Sequence, residues 1–151
     1  TMLRARLREL GYDYGYFDAH NGLWEMAEKT AHDGLARMAL VPRVLEARGL
    51  DASPALTRKF ESIGDARAVE ILGIILRDEI GHVRIGNRWY GYLCEQRGVD
   101  PIRTFQDLLQ EYGGSRLRPP LHTEARRAAG FSEDELVMLE RLAAESVVPR
   151  A

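Results

Sequence analysis

The sequence is short of everything that would staple or anchor a chain. It has one cysteine, Cys94, among 151 residues. That excludes an internal disulfide framework and any multi-cysteine zinc site. No apolar run exceeds a few residues, the fullest lying at 71–76. Neither a membrane-spanning helix nor the apolar centre of a signal peptide is therefore expected. Charge of one sign is missing too: 21 basic and 23 acidic side chains leave a formal charge of −2. This balance excludes a grossly basic nucleic-acid binder. With 45% apolar residues, the chain is also no acidic disordered tail. No P-loop, dinucleotide fingerprint or Ser-His-Asp arrangement is present. The length suits a chain that buries its own core, and a soluble cytoplasmic setting is expected.

What is present reads as helix throughout. Leu3, Leu7 and Leu10 recur at helical spacing before Gly11, like the second half of a helix. Because Thr1 is not an initiator methionine, the expectation is a piece of a longer protein with at least one helix upstream. Residues 11–22 (GYDYGYFDAHNG) form a long connection that could span roughly 40 Å when extended. A helix is expected from Leu23 to Arg48, capped by Asn21, kinked at Pro42 and stopped at Gly49. Ser53-Pro54 reads as the start of a short helix over 54–62. Gly64 breaks the chain, and Asp65 caps the longest helix, 66–97, which closes at Gly98. Further helices are expected over 101–112, ended by Gly113-Gly114, over 123–129 and over 133–146. Ser132 and Glu135 stand at capping-box spacing before the last of these. The fold class is all-α, with a bundle over 1–98 and a smaller helical extension over 99–151 packed on it.

The informative helix is 66–97. Its apolar residues at 72, 75, 76, 83, 89, 90 and 93 mark a stripe, and Glu79 falls inside it. A carboxylate there costs several kcal/mol unless it is paired or metal-bound. Glu79 and His82 stand at i and i+3, so both heads project one way and suit a divalent cation. Asp78 points elsewhere, toward water. Gly86, one turn past His82, signals close packing or access over the same face. On the preceding helix Glu28, His32, Leu35, Ala39, Pro42 and Glu46 fall along one line. If the chain reverses at Ile63-Gly64, Glu46 lies level with Glu79, and Glu28 with His32 become outer or entrance residues. If it reverses at 49–53, Glu28 and His32 move level with the site instead.

The remaining signals are weaker. Arg116, Arg118, Arg126 and Arg127 could form a phosphate-binding patch, although ordinary ion pairs to Glu124, Glu133 and Asp134 account for them more simply. Trp24, Trp89, Tyr90 and Tyr92 read as packing residues, with Trp89 or Tyr90 as a candidate cavity wall. Cys94 reads as a small buried hydrophobe.

Three runs carry a resemblance. LWEMAEKTAHDGLARMALVPRVLEARGLD (23–51), ILRDEIGHVRIGNRWYGYLCEQRGVDP (ending at Pro101) and LRPPLHTEARRAAGFSEDEL (117–136) resemble a bacterial family of ferritin-like proteins, domain of unknown function 455. The resemblance implies a ferritin-like helical bundle, here without its first helix and part of the second. That class builds a two-metal site from a Glu on each of two helices and a Glu-x-x-His on each of two others. Carried over, Glu46 is the lone Glu, and Glu79 with His82 is the last Glu-x-x-His. His32, partnered by Glu28, would orient a ligand or shuttle protons. Two iron ions, or manganese, are implied as cofactors of the intact protein. The three missing donors would come from upstream helices or from a second chain, a homo-oligomer. The function implied is an oxygen-dependent diiron oxidoreductase or hydroxylase acting on a small molecule or modified nucleotide. The alternative is a metal-binding or scaffold protein without turnover.

Overall fold

The computed structural model describes residues 1–112 and 117–145. Among the described residues every regular element is helical: α1 (Met2–Glu9), α2 (Gly22–Lys29), α3 (Gly34–Leu40), a π-helix (Val41–Glu46), α4 (Ala47–Ser62), α5 (Ala66–Arg97), α6 (Pro101–Glu111), α7 (Thr123–Ala128) and α8 (Glu133–Glu145). The expected stop at Gly113-Gly114 and the residue Arg116 lie outside the described residues. No helix among the described residues is long and apolar enough to cross a membrane.

α4 and α5 form an antiparallel pair, and α3 with the π-helix packs against α5 beside them. The reversal falls at Gly64, whose φ of +73° suits glycine. Asp65 then caps α5, its carboxylate accepting from Ala68 N at 2.9 Å. Arg6 of α1 donates to the other Asp65 oxygen at 2.8 Å, which ties α1 to this corner. At its far end α5 closes on Gly98 in the left-handed conformation. Asp100 caps α6 by accepting from Arg103 N at 2.7 Å. Ser132 and Glu135 make the reciprocal capping box that their spacing predicts, at 2.9 and 3.3 Å.

The expected 23–48 helix is not continuous. It stops at Lys29, and Asp33 caps a new start by accepting from Leu35 N at 2.8 Å. At Pro42, which has no N–H to donate, the expected kink is replaced by the wider π turn. The expected stop at Gly49 and the separate 54–62 helix are also corrected. α4 runs through both, with Pro54 inside it. Ser53 does not cap forward; its hydroxyl donates back to the Gly49 carbonyl at 2.9 Å. Burial of Ala47, Leu50 and Ser53 holds the helix together across the proline.

One buried cluster runs from Leu35, Leu40, Val44 and Leu50 through Val83, Tyr90 and Cys94 to Phe105, Phe131 and Leu139. It thus draws on both sides of residue 98. Cys94 is buried as expected. Of the aromatics expected to pack, Tyr90 does, but Trp24, Trp89 and Tyr92 are exposed. Trp89 and Tyr92 stand edge to face at 5.8 Å on one flank of α5, beside Ile85, which is also exposed.

Candidate metal centre

The site lies where the π-helix ends and crosses α5. Glu46 is the last residue of the π-helix, and both it and Glu79 are half-buried. Glu79 lies across α4 next to Gly49, where an added Cβ would meet its Cγ at 3.6 Å and its Oε1 at 3.8 Å. Gly49 therefore leaves open ground beside the carboxylate. His82 Nδ1 lies 3.5 Å from Glu79 Oε2, with the Glu79 side chain 22% exposed and His82 65% exposed. Burial raises the Glu46 pKa above its ordinary value, and the charge of Glu79 raises it further, while His82 acts against both. Two acids from neighbouring helices thus share one locality. Among the described residues neither carboxylate pairs with a lysine or arginine; the one ion-pair partner is His82.

Chemically, the three donors suit a hard or borderline divalent cation. As they stand they form a half-set: among the described residues no three His, Cys, Asp or Glu side chains are gathered closely enough to hold a metal ion. The donors fit by type, and fall short in number and in closeness. The π turn has a bearing here, because such turns inside helices frequently mark functional positions.

The structure does not bring Glu28 and His32 to this place. The break at residues 30–33 takes them off the line that a continuous helix would have given. Glu28 is exposed and accepts from Trp24 Nε1 at 3.0 Å, and exposed His32 stands 3.5 Å from the Tyr112 hydroxyl. Neither bonds to the other nor to Glu46, Glu79 or His82. Since the reversal is at Gly64 rather than 49–53, Glu46 is the residue level with Glu79. Asp78 is exposed, as expected.

The arginine patch is corrected as well. Arg126 is fully buried and grips Asp51 with two hydrogen bonds, at 2.9 and 2.7 Å. Arg127 is exposed but paired with Glu133 at 2.5 Å. Arg118 is exposed. A single buried arginine on a short helix looks in sequence like any surface cation, so nothing local could have revealed it.

A family of known members matches this chain over residues 1–137 under the description "Protein of unknown function (DUF455)". The chain belongs to the DUF455 family. A Haemophilus influenzae protein described as uncharacterized is 54% identical over 136 residues, covering 90% of this chain and 47% of the relative. The chain therefore spans about half the length of the curated relative it matches. No solved structure matches. Glu46, Glu79 and His82 all fall inside the DUF455 match.

Proposed function

We propose that this chain carries half of a two-metal carboxylate centre in a ferritin-like, oxygen-dependent oxidoreductase. The observation that supports it is the Glu46–Glu79 pair, two half-buried acids whose mutual repulsion no lysine or arginine among the described residues offsets. A bound divalent cation would remove that repulsion. Glu46 plays the lone Glu of the ferritin-like pattern, and Glu79 with His82 plays one Glu-x-x-His. The other three donors come from chain beyond these residues or from a second copy. The Haemophilus relative has room for them, since 47% of it is matched here.

Two irons, or manganese, would when bound supply the electrons and the Lewis acidity for dioxygen chemistry. The chain's own residues do the rest. Glu46 and Glu79 offer carboxylate oxygens from two helices at one depth. His82 offers a nitrogen on the open side. Gly49 keeps space beside Glu79, and Val83 and Leu50, one helical turn past Glu79 and Glu46, are fully buried. The proposed substrate is a small molecule rather than nucleic acid, because Arg126 is buried and Arg127 is paired. A cytoplasmic setting is part of the proposal. The openness of His82 favours a second reading, a metal-holding protein without turnover.

Metal analysis of the natural full-length protein after anaerobic iron loading tests this. Glu79→Ala should lose bound iron, and Asp78→Ala should keep it. Unchanged iron in Glu79→Ala would remove that residue from the site. Oxygen uptake that stops after one stoichiometric round would support the second reading; sustained uptake with a substrate supports the first.

A further inference from the structure

A heavily restrained side chain sits three residues before Glu46. Arg43 is 1% exposed. Its guanidinium lies 4.1 Å from the Tyr90 ring centre, 4.2 Å from Phe105 and 5.1 Å from Phe131. Its Nε donates to Asn87 Oδ1 at 2.7 Å, and its Nη2 forms an ion pair with Glu135. Helices α5, α6 and α8, together with the Phe131 turn, thus close on one residue of the π-helix. A cavity of about 340 Å³ opens beside it, lined in part by Asn87, Tyr90, Ser132 and Glu135. Arg43 itself lines that cavity; its Nη1 is shielded from water and has no hydrogen-bond partner among the described residues, while Nε and Nη2 hold the side chain in place. It is clamped.

A fully buried cation is a costly way to fill space, and an apolar side chain of the same size would often stabilise as much or more. What a planar fork between rings supplies is a fixed geometry. Glu135 is doubly used: one oxygen caps the start of α8 by accepting from Ser132 N, and the other holds Arg43. Arg43 and Glu46 lie within one six-residue π segment, so the segment cannot turn about its axis without moving both. Gly86 of α5 lies against the same segment, its missing Cβ making room for the Pro42 ring.

We infer that Arg43, anchored by Glu135, is a positioning residue: the C-terminal helix sets the register of the π-helix and so the place of Glu46 opposite Glu79. The consequence for metal rests on the reading of Glu46 as a ligand; the consequence for the backbone does not. Loss of a group that orients a ligand from behind typically weakens metal binding about 10–100-fold.

The test compares Glu135→Gln with Asp51→Asn in the natural full-length protein. Asp51 anchors α7 to α4 through Arg126 in the same buried manner, yet lies outside the π segment. Both substitutions lower the melting temperature. Glu135→Gln alone should weaken cobalt(II) binding by about 10–100-fold and change the visible spectrum of bound cobalt. It alone should also speed amide exchange over 41–47 in the metal-free protein. Equal losses in the two variants, or wild-type cobalt binding in Glu135→Gln, would overturn the inference. A wild-type protein that binds no cobalt defeats the parent reading instead. The exchange rates then decide the latch by themselves, and unchanged exchange over 41–47 sinks it.

Discussion

At the scale of single residues, the consequential group is Glu46. Its pKa is raised by burial and by Glu79, so the folded state holds its proton more tightly than the unfolded chain does. Ionised Glu46 therefore subtracts from stability above the raised folded value. The penalty shrinks as pH falls through that value, and is gone below the ordinary 4.5. Glu46→Gln should accordingly raise the melting temperature of the metal-free protein at neutral pH. That gain should fade on acidification, which a series of melts against pH would show; a gain independent of pH would point to some cause other than charge. Much at this scale was legible in the sequence. The depth of Glu46 and Glu79 about Gly64, the capping by Asp65 and Ser132, and the burial of Cys94 follow from spacing and local chemistry. Arg43 and Arg126 were not legible. Their surroundings are assembled from segments far apart in the chain, and a charged residue carries no local mark of the rings and acids that will enclose it.

At the scale of elements, the joint between the π-helix and α5 decides the geometry. Gly86 is buried, and a Cβ there would lie within 2.5 Å of the Pro42 Cγ. The proline ring cannot swing aside as a flexible chain end would. Gly86→Ala should therefore push the two elements apart and cost about 1–3 kcal/mol, even though alanine is the better helix former by about 1 kcal/mol. Urea unfolding would measure it, and a stabilised variant would show that the joint is looser than described. The sequence marked Gly86 as unusual without naming its neighbour. It misled at Gly49 and Ser53-Pro54, where residues that ordinarily end or begin helices are carried inside α4. There, burial against α5 outweighs local preference. The π turn was equally hidden, since Pro42 announces a disturbed helix but not which one.

At the scale of the molecule, the helices after residue 98 are not an appendix. Phe105, Phe131 and Leu139 belong to the same buried cluster as Leu40 and Val83, and two buried arginines cross the divide. We predict one unfolding transition, with helicity and tryptophan emission lost at a common denaturant midpoint. Separate midpoints would make residues 99–151 an independent unit. Breaking the Asp51–Arg126 tie should shift that single midpoint without splitting it. The helical class and the order of elements were readable from periodicity. How the last third closes over the first was not, because it depends on contacts that no repeating pattern encodes. One detail of the surface has a practical use. Trp89 is 52% exposed and stands two turns from His82 along the same flank of α5. In a Trp24→Phe background its emission becomes a built-in gauge: a blue shift would register the moment that flank is sealed, whether by another copy of the chain or by some other helix.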